Sequence, residues 1–378
     1  MWTLGLSYAV STFARCLPIS IIPTIALGRL GDPGLVSALY MGTSCLSLAA
    51  GIALPRLLPR IGLAGTLIAC ALLGISCWLT FLIPGLVSLF AGLTLYVLMV
   101  LFFENASNMA VLGLIPRRDH KAYESRRVML AAPSYMLGPV IGTAMQDHGL
   151  VALVFASMAA CTCLAPVLVA ISAGTTERLA RMRHPSHKGF ALRNFLASAR
   201  LRAAWILAIG RAMWCQMLFV YTPLLAVSLG VDLVQAGILI SLSSGLLLGA
   251  PLWEGLTRKL GLRRFMALAY TICGLFACVA GFLAQHSFGL FAAAMFASAV
   301  SVSAIDSVAN TPVLRAVRAR DAARMIPVYN TFREAAQVFP AGAYAVLLIF
   351  FDLQYIFVAT GLGLVGIAWF CRLLPRRA

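Results

Sequence analysis

The chain has 378 residues, 61% hydrophobic and only 11% charged, with a formal net charge of +17. So few charges cannot cover so much apolar surface, which excludes an ordinary soluble core. Apolar runs of about 20 residues take up most of the length, which leaves no room for a soluble catalytic domain.

In chain order these runs predict twelve membrane-crossing helices, at roughly 4–28, 34–54, 63–83, 86–114, 127–146, 150–172, 203–229, 233–253, 264–284, 288–312, 326–350 and 353–371. Helices are the natural spanning element because every backbone polar group in hydrocarbon must bond within its own segment. The two-residue alternation of a membrane β-barrel is absent. Some neighbouring spans are joined only by a tight turn, as at Pro84-Gly85. The longest interruption, 173–202, is strongly basic.

The positive charge is one-sided. Of 29 Lys and Arg, 25 fall on the side that carries both termini and the central interruption. Only Arg29 falls on the other side, and Arg15, Arg211 and Arg333 fall inside spans. An excess of Lys and Arg marks cytoplasmic loops, so both termini are expected in the cytoplasm and the protein in a bacterial-type inner membrane. Anionic lipid head groups explain the basic loops, and no groove-reading module for nucleic acid is present. Most of the ten cysteines lie inside spans, where a thiol acts as a small apolar group. Neither a disulfide framework nor a metal site is expected, and no cofactor. Met1 is followed almost at once by a span, without the pattern of a cleavable signal.

The chain repeats itself. LFFENASNMAVLGLIPRRD (101–119) returns as AIDSVANTPVLRAVRARD (304–321), so that Glu104 answers Asp306 and Asn108 answers Asn310, each 202 positions on. RLLPRIGLAGTL (56–67) returns as GLTRKLGLRRFM (255–266), with Gly62 and Gly261 199 apart, and Pro23 and Pro223 are 200 apart. Six spans followed by six keep one orientation, so the halves are parallel repeats. The expected domains are a six-helix bundle at 1–172, a cytoplasmic linker at 173–202 and a second six-helix bundle at 203–378.

Twelve spans, a six-plus-six parallel repeat, a long cytoplasmic link and a short basic loop after spans two and eight resemble the major facilitator superfamily over the whole chain. The loop motif is altered. Its first copy keeps Leu57, Arg60 and Gly62 but has Pro59 where the family has an acid; its second keeps Leu256, Lys259, Gly261, Arg263 and Arg264 with Arg258 there. The resemblance implies a gating role for Arg60, Gly62, Lys259 and Gly261, and the missing acid removes the charge relay such a loop would carry.

A charge at mid-membrane is costly and faces protein or water. Arg15 falls in span one, Glu104 in four, Arg211 in seven and Asp306 in ten, with Arg333 and Glu334 in eleven. In the family this chain resembles, helices one, four, seven and ten line the central cavity. Ser7, Ser11 and Arg15 share one face of span one, Glu104 and Asn108 one face of span four, and Ser303, Asp306 and Asn310 one face of span ten. Two readings of the arginines stay open. Arg15 and Arg211 can form an anion site, since guanidinium offers forked donors to carboxylate or phosphate and is always protonated. The family's organic-phosphate exchangers also carry arginines on helices one and seven. Alternatively, Arg15 pairs with Glu104 and Arg211 with Asp306 as structural ion pairs.

Glu104 and Asp306 are the first candidates for proton coupling and Glu334 the next, because burial and a neighbouring arginine push a carboxyl in opposite directions. Asn108 and Asn310, with Trp214 and Tyr221 as stacking surfaces, complete the candidate substrate set. On span five, Ser125, Ser134, Gly138, Pro139, Gly142 and Thr143 partly match the glycine pattern of exporters in this family, which assigns Gly138, Pro139 and Gly142 to gating; close helix packing explains small residues equally well.

The expected function is therefore an all-α secondary transporter, not an enzyme. It moves a small organic anion or zwitterion by alternating access, as an antiporter driving efflux against protons, and works as a monomer in the lipid bilayer. The rivals are a multidrug exporter whose charges serve only coupling and gating, and a non-transporting receptor or assembly factor on the same fold.

Overall fold

The computed structural model describes residues 2–115, 120–173, 192–309, 311–316, 328–329 and 331–374. Every regular element among the described residues is helical, and all twelve expected spans appear. Nine helices among them are long and apolar enough to cross a membrane. Leu233–Gly245 and Ala335–Phe350 are shorter apolar helices, and span five is His120–Asp147. Large apolar side chains such as Val87, Leu252, Ile349 and Phe350 are more than two-thirds exposed. Acyl chains are their natural solvent.

Spans two and three form one helical run, Pro33–Leu82, broken at Gly62, whose φ of 67° and ψ of −175° lie outside any helix. Spans eight and nine turn at Gly261, with φ 76° and ψ 148°. The two glycines matched by the repeat thus hold the same kind of backbone corner. A side chain there would be strained, so glycine is required on conformational grounds alone.

Three spans that carry intramembrane charges are irregular next to the charge. Span one is two helices, Trp2–Cys16 and Ile21–Leu30, separated by Leu17–Ser20 around Pro18. Span seven runs from Ala199 to Gln216, passes into a π-helix at Met217–Tyr221, and resumes at Thr222–Ser228 with Pro223 in its first turn. Span ten ends at Ser307 and restarts as Thr311–Ala316. Pro312 has no N–H to give the carbonyl of Val308, and the Thr311 N–H reaches that carbonyl instead at 2.9 Å. Span four, Leu86–Leu114, runs through its own acid without a break.

The chain divides into two compact units. The first comprises Met1–Asp32, Gly42–Ser186 and Asp232–Ser241; the second comprises Pro33–Met41, His187–Val231 and Leu242–Ala378. In the first, span one packs against spans five and six. A Cβ on Gly138 would lie 2.6 Å from Cys16 Cβ, and one on Gly142 would overlap the carbonyl oxygen of Leu17. In the second, spans nine and twelve approach through Gly274 and Gly361, where a Cβ on Gly274 would lie 2.5 Å from the Gly361 carbonyl oxygen. Some buried hydroxyls are satisfied by their own helix: Thr66 donates to the Gly62 carbonyl at 2.6 Å and Thr162 to that of Met158 at 2.7 Å.

Candidate functional site

Each unit holds one arginine–carboxylate pair, and the repeat aligns the two acids. In the first unit Arg15 ends the first helix of span one and meets Glu104 from span four. Its Nη1 donates to Glu104 Oε1 at 2.9 Å, and its Nη2 donates to the Tyr135 hydroxyl of span five. The Arg15 main-chain oxygen accepts the Tyr96 hydroxyl at 2.6 Å. Three helices therefore fix one guanidinium. A narrow cleft lies against it, with Tyr8, Ser11, Cys70, Glu104 and Thr162 among its walls. Ser7 lies outside this cleft; it is buried and donates to the Ala165 carbonyl at 2.7 Å.

In the second unit Arg211 Nη1 donates to Asp306 Oδ1 at 2.6 Å. Its Nε is buried with no hydrogen-bond partner among the described residues. Nearby, Trp214 donates Nε1 to Ser298 at 2.9 Å, and Trp253 of span eight donates Nε1 to Ser303 at 2.9 Å. Trp214 is 4% exposed and Tyr221 is fully buried. Tyr221 shares a 2.9 Å hydrogen bond with Ser37 and packs edge-on against Tyr344. Both aromatics are thus engaged in packing within their unit.

The remaining candidates scatter. Asn108 is exposed on span four. Asn310 lies outside the described residues, as does the Glu334 side chain. Arg333 sits in the first turn of Phe332–Phe350, exposed, with its guanidinium 5.9 Å over the Phe332 ring. Arg60 and Lys259 are exposed beside the Gly62 and Gly261 corners. Gly138 and Gly142 occupy the close approach of spans one and five, and Pro139 stands between them within the helix. Among the described residues no group of His, Cys, Asp and Glu could hold a metal ion.

Sequence reasoning did not single out Tyr135, Tyr96 or Tyr8. Tyr135 lies inside the span-five glycine–proline stretch, three residues before Gly138. The close approach that those glycines permit is what brings its hydroxyl to Arg15, so a polar tip beside a small-residue stretch was the available signal.

No family model matches the chain, and no curated protein matches it in sequence. Solved structures do match in fold. A POT family transporter in complex with 5-aminolevulinic acid superposes with a TM-score of 0.76 at 13% identity, over 97% of this chain and 94% of that one. A bacterial homologue of the iron transporter ferroportin gives 0.75 at 12% identity, over 98% and 97%. A bacterial homologue of the human lysosomal transporter Spinster gives 0.74 at 14% identity, over 98% and 95%. At such identities the likeness carries the fold, and it is the twelve-helix fold of major facilitator transporters along the full chain.

Proposed function

We propose that the protein is a secondary transporter that moves a small organic anion or zwitterion across the bacterial inner membrane by alternating access, coupled to protons. One observation carries this: each repeat places one arginine against one carboxylate inside apolar helices, Arg15 with Glu104 and Arg211 with Asp306. Ionised groups in that setting are retained for transport or coupling more often than for stability. A guanidinium recognises a carboxylate or phosphate head, and a carboxylate beside it can load and unload a proton. The transporters of like fold support the class, and one of them binds the zwitterion 5-aminolevulinic acid. The one-sided basic loops support cytoplasmic termini. The span-five glycines support efflux by antiport less firmly, because close packing on Cys16 and Leu17 already requires Gly138 and Gly142. We take the working form to be a monomer.

A second reading has an observation in its favour. Each arginine is already bonded to an acid of its own unit. A multidrug exporter with purely structural pairs would look the same.

Thermal shift of the purified protein in detergent separates the two, using matched panels of small carboxylates, zwitterions and lipophilic cations. A ligand that binds only the folded state at one hundred times its Kd stabilises by about 2.7 kcal/mol. Shifts confined to anions and zwitterions, and lost in Arg211→Gln, support the proposal. Shifts with lipophilic cations that survive both Arg15→Gln and Arg211→Gln move the multidrug reading to first place.

A further inference from the structure

The two pairs are alike in sequence and unlike in how they are held. Arg15 gives one Nη to Glu104 and the other to Tyr135, and Tyr96 ties down its main-chain oxygen. Arg211 makes a single bond, to Asp306, and keeps a buried Nε with no partner among the described residues. A buried donor left unmade is unfavourable, so this guanidinium has a hydrogen bond still to gain.

The backbones differ in the same sense. Span four is continuous through Glu104, whereas span ten stops one residue beyond Asp306. Span seven turns into a π-helix at Met217, six residues beyond Arg211. Helix breaks and π-turns at membrane depth are where a span can change course without losing its whole hydrogen-bond ladder.

We propose that the Arg211–Asp306 pair is the one a substrate opens: the anionic head of the ligand takes Arg211, Asp306 takes a proton from water, and anion and proton are carried together, while the Arg15–Glu104–Tyr135 cluster stays closed. This deepens the anion-site proposal above and rests on it. The charge count requires the proton. Arg211 and Asp306 sum to zero; adding an anion alone would leave the site negative in a low dielectric. A carboxylate that loses its cation there favours the neutral acid. By linkage, the anion then raises proton affinity and the proton raises anion affinity equally. Co-binding of this sign gives symport, the opposite of the exchange suggested by the span-five pattern.

Among the described residues, the other titratable groups facing the pair are Cys215 on span seven, Tyr270 and Cys273 on span nine, and Tyr329 ahead of span eleven. Tyr270 donates its hydroxyl to the Leu207 carbonyl at 2.5 Å, and Cys273 shares a hydrogen bond with Ser298. Among the described residues no second carboxylate is bonded to Arg211.

The test is calorimetric titration of the purified protein with benzoate and with lactate, whose carboxylates stay ionised near neutral pH, in buffers of different ionisation heat. The expected result is uptake of one proton per bound anion, with Kd tightening about tenfold for each pH unit lowered. Asp306→Asn should bind without proton uptake, and Asp306→Glu should restore the uptake. Proton release, no proton linkage, or uptake that survives Asp306→Asn but is lost in Glu104→Gln would each overturn the assignment while leaving the anion site standing. Absence of binding of either probe to the wild type at every pH, with no stabilisation by other anions, removes the anion site and this inference with it.

Discussion

Arg15 and Glu104 each make sense only in the presence of the other. Removing one leaves an ionised side chain that is 21% (Arg15) or 17% (Glu104) exposed among apolar helices, a situation between an exposed pair and a fully buried one, with a cost on the order of 1–4 kcal/mol. Arg15→Gln and Glu104→Gln are each expected to lower thermal stability, and the double variant to recover most of the loss. Purely additive effects, with no coupling beyond about 0.5 kcal/mol, would mean the bond is not formed in the protein. The charges themselves were legible in the sequence, because an acid or arginine in an apolar run is conspicuous. The pairings Arg15–Glu104 and Arg211–Asp306 were named there as one of two open readings, although the partners lie 89 and 95 positions apart. Tyr135 and Tyr96 were not singled out: a tyrosine is common in membrane helices, and the approach of spans four and five to span one is what makes these two neighbours of Arg15.

Glycines set that approach and the corners between spans. On span five, Gly142→Leu would drive a side chain into the Leu17 carbonyl, and overpacking of this kind costs about 1–3 kcal/mol. Gly28 has open space around its Cβ position, so Gly28→Ala should be neutral or slightly stabilising in the same assay. Equal loss in both variants would contradict the packing described here. At the corners, Gly62→Ala and Gly261→Ala should each cost about 1–3 kcal/mol through backbone strain, measured against Gly255→Ala on an open helical face. The repeat revealed this pair of glycines, and hydrophobic run length placed the spans but not all their ends, since span five begins at His120 rather than 127 and span eight runs to Leu260 rather than 253. The interruptions were not foreseen. Pro18, Pro223 and Pro312 are visible in the sequence, but a proline in a membrane helix can be accommodated by a kink, a π-turn or a break, and neighbouring helices decide which.

For the molecule as a whole, the side of the membrane that each loop occupies is testable without knowing a substrate. In a cysteine-free background, Arg29→Cys should react with an impermeant thiol reagent from outside intact cells, and Lys259→Cys only after the membrane is opened. The reverse pattern would invert the topology taken from the basic loops. The transport proposal itself is tested most directly by counterflow in proteoliposomes. Vesicles are loaded with an unlabelled anion that stabilises the protein, and entry of the same anion in labelled form is followed. We predict a transient accumulation of label above equilibrium that is absent from empty vesicles and lost in Arg211→Gln. Firm binding of the anion with no counterflow, in vesicles shown to contain folded protein, would contradict a transporter and leave a receptor on the same fold.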